Sequence, residues 1–200
     1  MADRYWVGGT ATWDASTTSV WSTTSGGSGG ASVPTSSDNV YFDQAGTYTV
    51  TVDANPAYCA NFTVSASNYT FSTGAGYFQI AGNLALASGT VWNISNFYFI
   101  ATSGTYTITT NGTALKIINF GISATTATWS MQDALTFTSI NSLKGTLNTN
   151  GYNITGNGIG GGSASGSRTI NMSTSQITLS SGGNAAWSNI LGLTWSPGAN

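Results

Sequence analysis

From Gly46 onward the chain is a succession of short runs in which apolar and hydroxyl side chains alternate, each run broken by Gly, Asn or Ser. Thr47-Tyr48-Thr49-Val50-Thr51-Val52, Thr105-Tyr106-Thr107-Ile108-Thr109 and Gln176-Ile177-Thr178-Leu179 are clear cases. A period of two sends one side of a strand to a core and leaves the threonines facing out. Helix has little to build on. There is no glutamate, Lys and Arg total 4, and 26 glycines stand among β-branched residues that also disfavour it. No apolar stripe at helical spacing runs beyond two turns. The 40% hydrophobic content and 7 tryptophans imply a packed core despite only 5% charged residues. The fold class is all-β.

Weak repetition points to the architecture. Gly46-Thr47-Tyr48-Thr49-Val50 is echoed by Gly104-Thr105-Tyr106-Thr107-Ile108 and, more loosely, by Ser167-Arg168-Thr169-Ile170. Ile80, Leu84 and Leu86 likewise match Met131, Leu135 and Phe137 in spacing. A step of roughly 60 residues fits two or three coils of about 20 to 30 residues each. The expected fold is therefore a right-handed parallel β-helix or β-solenoid, with a β-sandwich or jelly roll as the alternative.

The chain divides at about residue 45. Residues 1–45 carry Trp6, Trp13 and Trp21, then the run Ser25-Gly26-Gly27-Ser28-Gly29-Gly30, read as a flexible loop or a tight crossing. This segment is expected to be a Trp/Gly-rich N-terminal cap and attachment module, with residues 46–200 as the solenoid. Trp13 and Trp21 are assigned to the first coil and Trp6 to a partner. At the other end, an open last coil would expose apolar side chains and unpaired backbone, so Trp187 and Trp195 either close it or meet another chain.

Catalytic and metal chemistry find few residues. Without histidine a Ser–His–Asp triad or a dyad around Cys59 is ruled out, and zinc lacks its usual ligands. Six aspartates remain, Asp3, Asp14, Asp38, Asp43, Asp53 and Asp133, and are read as caps of turns. Asp38 and Asp43 flank a strand, but no loop has the oxygen density calcium wants. Gly156, Gly158, Gly160, Gly161 and Gly162 are read as a surface loop, lacking the Lys-Ser/Thr of a phosphate cradle. Cys59 is expected to be a buried thiol, and Trp92 and Trp129 to be core. No enzyme, cofactor or metal site is expected. Arg4, Lys116, Lys144 and Arg168 are scattered, which disfavours nucleic acid, and no apolar run reaches membrane-spanning length. Met1 to Trp6 lack the apolar stretch of a secretory leader, so synthesis in a cytoplasm without standard export is expected.

The opening stretch Arg4-Tyr5-Trp6-Val7-Gly8-Gly9-Thr10-Ala11-Thr12-Trp13-Asp14, with Val20-Trp21-Ser22, Val33-Pro34 and Asp38-Asn39-Val40-Tyr41-Phe42, carries a resemblance. It is similar to autotransporter-type β-helical surface proteins. It more closely resembles Thr/Gly/Asn-rich β-solenoid structural proteins of marine bacteriophages. The resemblance covers the first 45 residues, with the remainder alike in style, and brings no catalytic residues. It implies a virion surface protein, a head decoration, head fibre or tail fibre, made in the host cytoplasm. Such a protein acts by display and attachment. Its partners would be other virion proteins of capsid or tail, further copies of itself in a homo-oligomer, and a host-surface glycan. The alternatives are a carbohydrate-binding or ice-binding adhesin on a bacterial cell surface, and a tailspike-like glycanase. Outward rows such as Thr47-Tyr48-Thr49 and Thr105-Tyr106-Thr107 would order water only if they stacked flat and repeatedly.

Overall fold

Parallel strands need a crossover between them, and a chain with period-two side chains can supply it by coiling, each coil laying its strands beside those of the coil before. The computed structural model shows this arrangement, a parallel β-solenoid. It describes residues 1–123, 125–162, 166–180, 187–188 and 193–197, with the backbone alone for Trp187, Ser188, Trp195 and Pro197. Among the described residues there is no helix.

Three sheets form the faces. The first has ten strands, in spatial order β3 (Trp21–Ser22), β1 (Asp3–Trp6), β4 (Asn39–Phe42), β7 (Phe62–Val64), β10 (Leu84–Ala85), β13 (Thr105–Thr109), β15 (Thr128–Met131), β17 (Gly145–Asn148), β20 (Arg168–Ser173) and β23 (Leu193–Pro197). The second has four, β2 (Ala11–Trp13), β5 (Tyr48–Val52), β8 (Tyr69–Thr73) and β11 (Val91–Asn93). The third has nine: β6 (Ala57–Cys59), β9 (Phe78–Ile80), β12 (Asn96–Phe99), β14 (Leu115–Phe120), β16 (Leu135–Leu143), β18 (Ile154–Gly156), β19 (Gly158–Gly160), β21 (Ile177–Leu179) and β22 (Trp187–Ser188). Long β16 bridges two sides, pairing with β18 through Leu135 and Thr136 and with β19 through Ser139 and Ile140.

Asn39, Asn61 and Asn83 stand one above another at a step of 22 residues, which is one coil. The Gly-Thr-Tyr-Thr echo crosses faces, because Tyr48 lies on the second and Tyr106 on the first. Ile80 and Met131 are likewise on different faces. Such a motif marks a turn entering a strand, and each face has its own. The looser echo at Thr169 does keep register, since Thr105, Thr128, Thr146 and Thr169 pair in succession.

Alternation fills one continuous core. Val40, Phe62, Leu84, Ile108 and Met131 form a column inside the first face, and Val50, Phe71 and Trp92 inside the second. Trp92 and Trp129 are core as expected, and burial pushes the Cys59 thiol well above its usual range, keeping it inert.

Residue 45 lies in the turn between β4 and β5, and the strands before it join the same sheets: β1 pairs with β4 and β2 with β5, both in parallel. The glycine run is a tight crossing. A Cβ on Gly29 would sit 1.9 Å from the Ser19 carbonyl oxygen, and the Gly30 amide donates to Thr18 and Trp21. The later glycines are not a surface loop. Gly156 and Gly158 to Gly160 are buried in β18 and β19, and a Cβ on Gly156 would fall 2.3 Å from the Phe137 ring.

Candidate binding face

The aspartates are accounted for by the chain itself. Asp53 accepts from the Ala75 amide one coil on at 2.6 Å, and Asp133 reaches back to the amides of Thr110 and Asn111. Asp38 accepts from the amides of Ala2 and Thr35 and from the Thr35 hydroxyl. Burial alone would raise its pKa, but those hydrogen bonds and the charge of Arg4 together hold it lowered. Asp14 accepts from the Thr17 hydroxyl and from the amides of Ser16 and Thr17, bonds that bring its pKa down to about 2. Asp3 takes the Asn39 amide and Asp43 that of Gln44. Five of the six carboxylates thus hold a turn or a ladder, and Asp43 is engaged by its neighbour's side chain. Among the described residues no three His, Cys, Asp or Glu side chains converge as a metal site would require.

Trp6, Trp13 and Trp21 are all fully buried within the chain. Trp6 and Trp13 meet Trp21 edge-on, with ring centroids 5.1 and 4.9 Å apart, and all three pack on Phe42. Trp6 donates from Nε1 to the Gly9 carbonyl. Its placement toward a partner is therefore corrected: its ring is as enclosed as the other two, because β3 folds antiparallel onto the outer edge of β1 and covers it. The three close the N-terminal end. At the other end, β22 and β23 carry Trp187 and Trp195, whose side chains lie outside the described part of the molecule.

The outward faces divide into two kinds. On the first, Asn39, Asn61 and Asn83 form an amide ladder running from Asp3 to Thr107, with links of 2.7 to 2.9 Å. Tyr5 and Tyr41 stack beside it at 4.8 Å. Further along, Thr105, Thr128, Thr146, Thr169 and Thr194 make one outward column, and Thr107, Ser130, Asn148, Asn171 and Ser196 the next. Here the polar groups largely answer one another.

The third face is different. Its first four strands place Tyr58 on β6, Gln79 on β9, Tyr98 on β12 and Asn119 on β14 in one outward column. Tyr77, Asn96 and Ile117 occupy the adjoining column, so rings and amides alternate like a chequerboard. Tyr77 and Tyr98 meet diagonally with centroids 5.6 Å apart. Asn119 donates to Asn96, and Asn96 donates to the Tyr98 hydroxyl at 3.1 Å, leaving that hydroxyl's proton free to point outward. Gln79 is only 7% exposed as a residue, but its amide is not sealed from solvent and makes no hydrogen bond within the described residues. Tyr58 continues into a cleft of about 250 Å³ walled by Pro34 and Pro56 over buried Trp13. Three half-buried rings interleaved with amides thus present stacking faces and hydrogen-bonding groups side by side.

Neither the ladder nor this chequerboard is among the residues singled out from the sequence. A signal for the ladder was present in Asn39-Val40-Tyr41-Phe42, Asn61-Phe62-Thr63-Val64 and Asn83-Leu84-Ala85-Leu86, which share a pattern at one-coil spacing. The chequerboard has none, since Tyr58, Gln79 and Tyr98 fall at unequal intervals. No protein-family model, curated protein or solved structure matches this chain.

Proposed function

We propose that this chain is a non-catalytic structural protein of a bacteriophage surface, a head decoration, head fibre or tail fibre, working by display and attachment. The observation that carries the reading is that all six aspartates are hydrogen-bonded within the chain, five of them in turns and ladders that hold the coils together. The likeness of residues 4–42 to structural proteins of marine phages supplies the particle. A stack with an enclosed N-terminal end and low charge suits a spacer that projects from a shell, in several copies and in contact with capsid or tail proteins. Quantitative mass spectrometry of purified virions tests it. The protein is expected at a fixed stoichiometry to the major capsid or tail subunit. Its absence from particles, or release of reducing sugar from host polysaccharide by the pure protein, would overturn the reading.

One observation favours a second reading, an ice-binding adhesin. The threonine column at Thr105, Thr128, Thr146, Thr169 and Thr194 is regular, with hydroxyls at the strand spacing of about 4.8 Å. The neighbouring column mixes Ser and Asn with Thr, so only half of a flat Thr-x-Thr lattice is present. Thermal hysteresis that disappears in Thr146→Tyr would move the assignment to this reading.

A further inference from the structure

The chequerboard of the third face poses a chemical question that the display role leaves open. We infer that it is a binding site for a neutral glycan chain, lying across β6, β9 and β12 over Tyr58, Gln79 and Tyr98, with Tyr77 alongside. The inference rests on the display role proposed above and names the ligand class of its attachment surface.

The argument starts at Gln79. The body of Gln79 is packed between two tyrosine-bearing strands, while its amide reaches the surface and makes no hydrogen bond within the described chain. Every other amide of the patch has a partner: Asn96 and Asn119 bond to each other, to Tyr98 and to the Phe97 carbonyl. Gln79 therefore offers one donor and one acceptor side by side, the pair that two neighbouring hydroxyls of a pyranose satisfy together. Its flanking rings stand one strand away on either side, so Tyr58 and Tyr98 are about 10 Å apart. A saccharide chain presenting the axial C–H faces of alternate rings to those tyrosines would set the hydroxyls of the ring between them over the amide. The Tyr98 hydroxyl, already accepting from Asn96, adds an outward donor. The cleft beside Tyr58 would take a terminal sugar or a branch.

Charge sets the selectivity. Tyr58, Gln79 and Tyr98, with Tyr77 alongside, carry no cation, and the nearest one along the face, Lys116, stands exposed on β14 outside the three strands of the site. A sulfate or uronate over β6 to β12 would therefore lose hydration without a counter-charge within those strands. The other aromatic patch, Tyr5 on Tyr41, does not compete, because the Asn39 and Asn61 amides beside it are engaged in the ladder.

The test uses the full chain and oligosaccharides of defined structure: cellohexaose, laminarihexaose and mannohexaose as neutral probes, and an alginate hexamer as the charged one. Titration by calorimetry and by proton NMR of the tyrosine rings should show at least one neutral probe binding and the alginate hexamer failing to bind. Tyr98→Ala and Gln79→Glu should each weaken the neutral probe about tenfold or more, Tyr98→Phe less, and Thr146→Ala on the first face not at all. Circular dichroism and melting of each variant separate lost binding from lost fold, and Gln79→Glu changes little volume. No binding of any neutral probe, equal binding of the alginate hexamer, or undiminished binding by both Gln79→Glu and Tyr98→Phe overturns the site. Presence of the protein at full occupancy in virions alongside any of those results would sink the glycan site and leave the display role standing; absence from virions with intact glycan binding would do the reverse.

Discussion

The coils before Trp129 and those after it are stacked alike and filled differently. From Trp6 to Trp129 the core is a relay of rings in which each touches the next. Phe42 alone meets Trp6, Trp13, Trp21, Phe62, Tyr69 and Phe71 at centroid distances of 4.8 to 6.4 Å. The relay ends on Phe99, Phe120 and Trp129. Beyond them the core is mainly aliphatic, Met131, Leu135, Ile140, Leu143, Leu147, Ile154, Ile159 and Ile170, with the single buried ring of Phe137 packed against Gly156, where a side chain would not fit. The coil from Thr128 to Thr146 is also shorter than the 22-residue step of the asparagine column. Aromatic filling holds the first part by area and by ring geometry; aliphatic filling holds the second by closer packing of smaller side chains. The two halves therefore differ in what breaks them.

Removing a ring from the hub should have the largest effect. Phe42→Ala is expected to cost about 3–5 kcal/mol and to lower the denaturation midpoint of the whole chain, since six neighbouring rings lose a partner. A loss under about 1 kcal/mol in chemical denaturation would show that the relay is not what holds the first half. In the second half the sensitive change is the opposite one. Gly156→Val drives a side chain into Phe137 and should destabilise by about 1–3 kcal/mol through overpacking. Hydrogen exchange should place that damage in β16, β18 and β21 while β4 to β9 stay protected.

The ladder gives a smaller, more local effect. Asn61 donates to Asn39 and accepts from both the side chain and backbone amide of Asn83, so Asn61→Ala should cost about 1–2 kcal/mol, with exchange rising at Asn83. Unchanged exchange at that amide would mean that water substitutes fully. The smallest effect is that of acid. Asp14 has its pKa lowered from 3.8 to about 2, so its stabilising bonds are complete above pH 3.8 and are lost as pH falls through 2. Because the carboxylate is solvated the gain is modest, and Asp14→Asn should flatten that part of the stability–pH curve without altering stability's trend above pH 5. A curve identical to that of the parent chain would assign the acid response to Asp38, whose pKa is lowered as well.

The all-β class and the solenoid were legible because period two and glycine punctuation act locally, strand by strand. Burial of Trp92, Trp129 and Cys59 followed from the same rule. Coil length was harder, because a Gly-Thr-Tyr turn looks the same on every face, so echoes between faces imitated a repeat. The asparagine column kept a fixed interval and was the truer ruler. Trp6 could not be assigned from composition alone: whether a third indole faces outward depends on β3, whose antiparallel return onto β1 is a long-range pairing that no local pattern announces. The chequerboard depends on register between strands joined by turns of unequal length, as the intervals from Tyr58 to Gln79 and from Gln79 to Tyr98 show.

The enclosure of the N-terminal end has a further consequence, for the order in which the chain acquires its shape. The tryptophan cluster is built from residues made before those of the later coils, and each later coil finds its template one coil behind it. Closing a loop of about 22 residues is a small, repeated entropic step, far cheaper than joining distant ends. A finished first coil thus offers the nascent chain a surface on which to wind, and assembly proceeds like a rope laid onto a drum in the direction of synthesis. The same direction ensures that the unfinished edge, where a stray strand might add, is always the growing one and never the end already closed.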